Sequence, residues 1–122
     1  IAAQLNQCGL KVTTSELQDS AYRTALKNGK FDLYYAEVRL SPNFDLSPFF
    51  RPWGSLAHGG LSDSVTLSLC TNMLENSGNA YDLHKQVLGR GYLCPVLFKS
   101  YAVYTTRGAV SNLTPALDRP LG

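Results

Sequence analysis

A thiol beside an imidazole can form a nucleophile and its base, and this chain holds Cys8, Cys70 and Cys94 with His58 and His84. The pairing that would serve a Cys/His hydrolase is Cys94 with His84 or His58. Two features argue against it. Cys94 lies in the apolar run from Tyr92 to Phe98, just before Pro95, where burial would raise its pKa and blunt it. His84 falls off the helical stripe marked by Leu83 and Val87, on the solvent side. The cysteines are odd in number and lack C-x-x-C spacing, so they form neither a disulfide framework nor a zinc site. Each is expected as a small buried hydrophobe, although one pair could still be bridged in an oxidising compartment. No catalytic constellation, metal site or cofactor is expected.

A second group of chemistry-bearing residues stands around position 40. Glu37 and Arg39 are charged residues at the exit of an otherwise apolar stretch, and they would also serve as a solvated pair. The following segment, Ser41 to Gly60, is broken by Pro42, Pro48, Pro52, Gly54, Gly59 and Gly60, yet carries Phe44, Phe49, Phe50 and Trp53. Phe49 and Phe50 are expected to pin the loop to the core, as most aromatics do. Phe44 and Trp53 are candidates for the apolar walls of a binding site.

The elements that would position these residues follow from periodicity. Ile1 to Cys8 reads as an amphipathic helix with Ile1, Leu5 and Cys8 on one face, stopped by Gly9. Leu10 to Thr14 alternates and is rich in β-branched residues, predicting a strand. Asp19 is the expected N-cap of a helix reaching Asn28, with Tyr22, Ala25 and Leu26 apolar and Gly29 at its end. Phe31 to Leu40 predicts a central strand covered on both faces. Ser62 or Asp63 would cap a helix to about Glu75, burying Val65, Leu69 and Met73. The turn Asn76 to Asn79 leads, with Asn79 as cap, into a helix that buries Leu83, Val87 and Ala80 and ends at Gly89 and Gly91. Tyr92 to about Thr106 predicts a last strand, Arg107-Gly108 turns the chain, and the stretch with Pro115 and Pro120 reads as a surface tail. Helix and strand alternating at this spacing predict an α/β fold.

The totals set bounds. A chain of 122 residues suits one compact domain, and its 44% hydrophobic and 16% charged residues fit a soluble globular one. A net charge of +2 with scattered Lys and Arg excludes a basic nucleic-acid stripe. The longest apolar run falls short of the roughly 18 residues that span a bilayer. A helix pattern starting at Ile1, without initiator Met or signal region, reads as a chain cut from something longer, with a processed mature N-terminus as the alternative.

Three stretches together resemble the C-terminal lobe of the family 5 extracellular solute-binding proteins, the oligopeptide, dipeptide and nickel receptors of ABC importers. They are Ile1-Ala2-Ala3-Gln4-Leu5 through Gly9-Leu10-Lys11-Val12, Ala25-Leu26-Lys27-Asn28-Gly29-Lys30-Phe31-Asp32-Leu33, and Gly91-Tyr92-Leu93-Cys94-Pro95-Val96-Leu97-Phe98 with the Gly turn at Gly108. The pattern departs from the family where Val38 replaces a frequent Trp, and where Asp45 precedes Leu46 rather than Pro.

The resemblance implies a periplasmic-binding-protein-like lobe, a mixed sheet with flanking helices, of which residues 1–122 would be the C-terminal portion of the second ligand-binding lobe. It implies a non-enzymatic receptor that is extracellular, as a cell-surface lipoprotein or periplasmic protein. Its partners would be a peptide or similar small solute and the ABC transporter permease subunits. There would be no nucleic acid, and membrane contact only through an anchor outside the chain. Peptide contacts would come from Glu37 or Asp45 to an ammonium, Arg39 to a carboxylate, and Ser41 or Asn43 to amides, with Phe44 and Trp53 as walls. The other class carrying such a lobe is the solute-sensing domain of transcription regulators.

Overall fold

A computed structural model describes residues 1–76, 80–100 and 104. Its helices are α1 (Ala2–Gln7), α2 (Asp19–Lys27), α3 (Ser47–Phe50), α4 (Ser64–Asn76) and α5 (Ala80–Arg90), with a 3-10 turn at His58–Gly60. The chain divides into two compact units, Ile1–Tyr35 and Ala36–Gly122.

In the first unit, α2 ends as its sequence requires. Gly29 takes φ 62°, and its N–H bonds the Leu26 carbonyl while the Lys30 N–H reaches back to Ala25 at 3.0 Å. This paired closure satisfies carbonyls that the last helical turn leaves open, and it needs a residue free to adopt a left-handed conformation. Gly9 and Gly91 close α1 and α5 in the same way. At the other end, Asp19 is the first helical residue and Gln18 the cap, without a side-chain bond. Asp19 instead pairs with Arg23 one turn on, at 2.9 Å. Leu26 is the buried residue of α2, with Tyr22 and Ala25 half-buried beside it.

The α/β expectation is overturned: among the described residues there is no strand, and the periplasmic-binding-protein-like mixed sheet is absent. The reason is visible residue by residue. A strand exists only when its backbone groups find a ladder partner, and here side chains reach those groups instead. The Asn6 amide accepts from the Val12 N–H at 2.7 Å and donates to the Val12 carbonyl at 3.2 Å. The Tyr22 hydroxyl donates to the Tyr35 carbonyl at 2.9 Å. Phe31 and Tyr34 meet edge to face at 5.0 Å, so the aromatic contact runs at a spacing of three and not two. Leu33 and Tyr35, expected inside a covered strand, are 77% and 64% exposed. In the last expected strand Val96, Leu97, Phe98 and Tyr104 are exposed.

The second unit has a packed centre. Phe49, Phe50, Cys70, Leu83 and Val87 form it, with Leu46, Leu67, Met73, Tyr92 and Leu93 among the side chains packed around it. Phe49 and Phe50 are buried as expected, held by α3, which packs on α4. On α5, Leu83 and Val87 fill the predicted stripe. On α4 the stripe is rotated: Val65 is exposed, while Thr66 and Cys70 are fully buried. A polar Thr66 is tolerated inside because its hydroxyl donates to Asp63 at 2.9 Å. The expected turn before α5 with its Asn79 cap, and the features placed beyond Ser100 other than Tyr104, lie outside the described residues.

Candidate functional site

Among the described residues Asp63 has the densest set of hydrogen bonds. One carboxylate oxygen accepts from the Val65 and Thr66 N–H groups at 2.9 and 3.3 Å, the other from the Thr66 hydroxyl and the Tyr92 phenol at 2.9 and 2.8 Å. The Tyr92 bond is the largest influence drawing the carboxyl down to about 2, against the cost of desolvation, and Thr66 and Val65 add to it. The same bond raises the Tyr92 pKa. These bonds cap α4 and tie it to the end of α5. The arrangement is structural, since the carboxylate is spent on the chain itself.

The candidate ligand residues lie in the second unit, and the structure sorts them. With no strand present, the expected placement at a strand's exit is lost. Glu37 faces the Lys99 ammonium at 2.6 Å, a wholly intramolecular partner for a carboxylate expected to bind an ammonium. Arg39 is exposed. Ser41 and Asn43 bond each other at 2.6 Å inside a turn that the Phe44 N–H closes onto the Ser41 carbonyl at 2.9 Å. Asp45 turns onto Ser47, accepting from its N–H at 2.8 Å and its hydroxyl at 2.9 Å, and so orders the start of α3.

Phe44 and Trp53 remain open to a ligand. They are 58% and 100% exposed. They are also the non-glycine residues at positive φ among the described residues, at 55° and 61°. A bulky residue in this region is a steric outlier, and such strain concentrates at ligand clamps and switches. At Trp53 the cause is local. The Gly54 N–H bonds the Arg51 carbonyl at 2.9 Å, closing a turn with Pro52 second and Trp53 third, where a type II turn calls for glycine or asparagine. A Cβ on Gly54 would overlap the Pro48 carbonyl oxygen, so the turn lies tight against α3.

Arg51 belongs with this turn and was not among the residues singled out from sequence. Its Nη2 donates to the Ser47 hydroxyl at 3.1 Å. Between two prolines and beside aromatics it looks like an ordinary loop cation. The available signal was Pro-Trp-Gly, which puts Trp at the third turn position and fixes the residue before Pro as the turn's first.

The thiols correct one expectation and keep another. Cys70 is buried, and burial, with Asp45 nearby, lifts its pKa to about 11. Cys8 and Cys94 are exposed, because the strands that would have covered them do not form. His84 is solvated, and Cys94 and His84 share no hydrogen bond. Among the described residues no group of three His, Cys, Asp or Glu could hold a metal, and no helix is long and apolar enough to cross a membrane. A shallow open groove of about 370 Å³ along α2, lined by Leu17, Ala21, Ala25 and Lys30 among others, contains none of the candidate residues.

No family model matches this chain, and neither the curated proteins nor the solved structures include a match to it.

Proposed function

We propose that this chain is a non-catalytic binding protein for a peptide-like small solute, acting as the receptor component of an ABC importer. The importer part is supported by the ordered resemblance of its three stretches to the family 5 receptors. The missing sheet removes the lobe geometry as support, so the binding part rests on one observation of its own. Two exposed aromatic residues, Phe44 and Trp53, are held on strained backbone, a double cost that neither side-chain burial nor backbone preference offsets. A ligand lying against both rings supplies the missing burial.

Trp53 is the single tryptophan, so indole emission reports this surface alone. Titration with a mixed pool of short peptides shifts the emission to the blue as water leaves the ring. Phe44→Ala weakens the titration by roughly ten-fold, about 1.4 kcal/mol. Emission that stays fixed at saturating peptide sinks the proposal.

A further inference from the structure

We infer that Arg51 and Trp53 form a clamp for a carboxylate carrying an adjoining apolar group. This rests on the ligand-binding proposal above and names the chemical group the site holds.

The guanidinium is positioned but not neutralised. Ser47, only 3% exposed, donates its hydroxyl to Asp45 and accepts from Arg51 Nη2, so a buried hydroxyl anchors one corner of an exposed cation. Asp45 reaches Arg51 only through that hydroxyl: the Ser47 N–H and O–H bond its two oxygens, and no Asp45–Arg51 ion pair occurs among the described residues. The ion pairs among the described residues, Arg23–Asp19 and Lys99–Glu37, leave Arg51 without an acid. Arginine has five N–H donors in a planar fork. Whichever Nη2 hydrogen Ser47 accepts, one two-donor edge stays whole. That edge fits the two oxygens of a carboxylate in parallel bonds.

Trp53 supplies the second half. It stands two residues on in the same closed turn, fully exposed, where an apolar or aromatic side chain next to the carboxylate would cover the indole. The ligand's carboxylate accepts from Arg51 and its side chain lies on Trp53. Two sources carry this chemistry: the C-terminus of a peptide, and a small free acid.

The test uses the full chain and Trp53 emission with three probes: N-acetyl-Ala-Phe as the free acid, the same dipeptide as its C-terminal amide, and 3-phenylpropionate. The free acid binds at least about ten-fold more tightly than the amide. Arg51→Lys removes that advantage although it keeps the charge, because an ammonium cannot make the parallel pair. Ser47→Ala narrows the ratio of acid to amide binding, which a general loss of folding would not do. Equal binding of 3-phenylpropionate and the dipeptide acid supports the clamp and assigns it to small acids; tighter dipeptide binding supports it and assigns it to peptides. Acid and amide binding alike overturn the clamp while the ligand-binding proposal stands. No emission change with any probe overturns both.

Discussion

The two units use the same helix-ending device and reach different degrees of order. In Ile1–Tyr35 the glycine closures at Gly9 and Gly29 are complete, yet Leu26 is the only buried hydrophobic side chain among the described residues. In Ala36–Gly122 the same closure at Gly91 belongs to a helix that faces another, and five hydrophobic side chains among the described residues are buried together. Local hydrogen bonding sets where a helix stops. Burial against a second element gives most of its stability.

The comparison breaks first at Phe50. Phe50→Ala empties the centre of the second unit and is expected to cost about 3–5 kcal/mol, read as a fall in the urea midpoint. Hydrogen exchange across α2 should stay unchanged, since Leu26 is in the other unit's packing. Loss of protection in α2 equal to that in α4 and α5 would show that the two units unfold as one.

Acid tests the polar tie within the second unit. Asp63 titrates near 2 when folded against an ordinary 3.8, so the folded state favours its ionised form. Its contribution is complete above about pH 4 and is lost as pH falls through 2. Asp63→Asn should flatten the urea midpoint across that window, and Tyr92→Phe should flatten it in part. An unchanged acid profile in Asp63→Asn would remove the tie from the stability of α4 and α5.

The smallest effect in energy sorts the thiols. Iodoacetamide at neutral pH should label Cys8 and Cys94 and spare Cys70, with mass spectrometry of the digests as the readout. Labelling of Cys70 at the rate of Cys94 would mean that the second unit opens as readily as an exposed loop.

Much of the helical part was legible in the sequence. Glycine past a periodic stretch marks a left-handed closure, and Leu83 with Val87 marks a buried face, because both signals are local. The sheet was misread because alternation describes which side chains share a face and says nothing about a ladder partner. Asn6 takes up both backbone groups of Val12, and no periodicity shows that an amide will do this. The rotation of α4 was hidden because Thr66 looks polar until Asp63 is seen to accept from it.

The site divides along similar lines. Phe44 and Trp53 were recognisable as aromatics in a proline-broken loop. Glu37, Ser41, Asn43 and Asp45 were recognisable as polar, but their intramolecular partners were not, since Lys99 lies far along the chain. Arg51 escaped because its anchor depends on the burial of Ser47, which only the packing of α3 creates.

Tyr92 bears on the order of folding. Its hydroxyl bonds a carboxylate 29 residues earlier, and its ring lies 5.6 Å from that of Phe50. Closing a loop of this length costs entropy that rises only slowly with length, but the bond needs the start of α4 and the end of α5 to arrive together. The ring contact further requires α3. Tyr92 is therefore expected to join late, as a latch that closes once three helices have met, and its substitution should speed unfolding more than it slows folding.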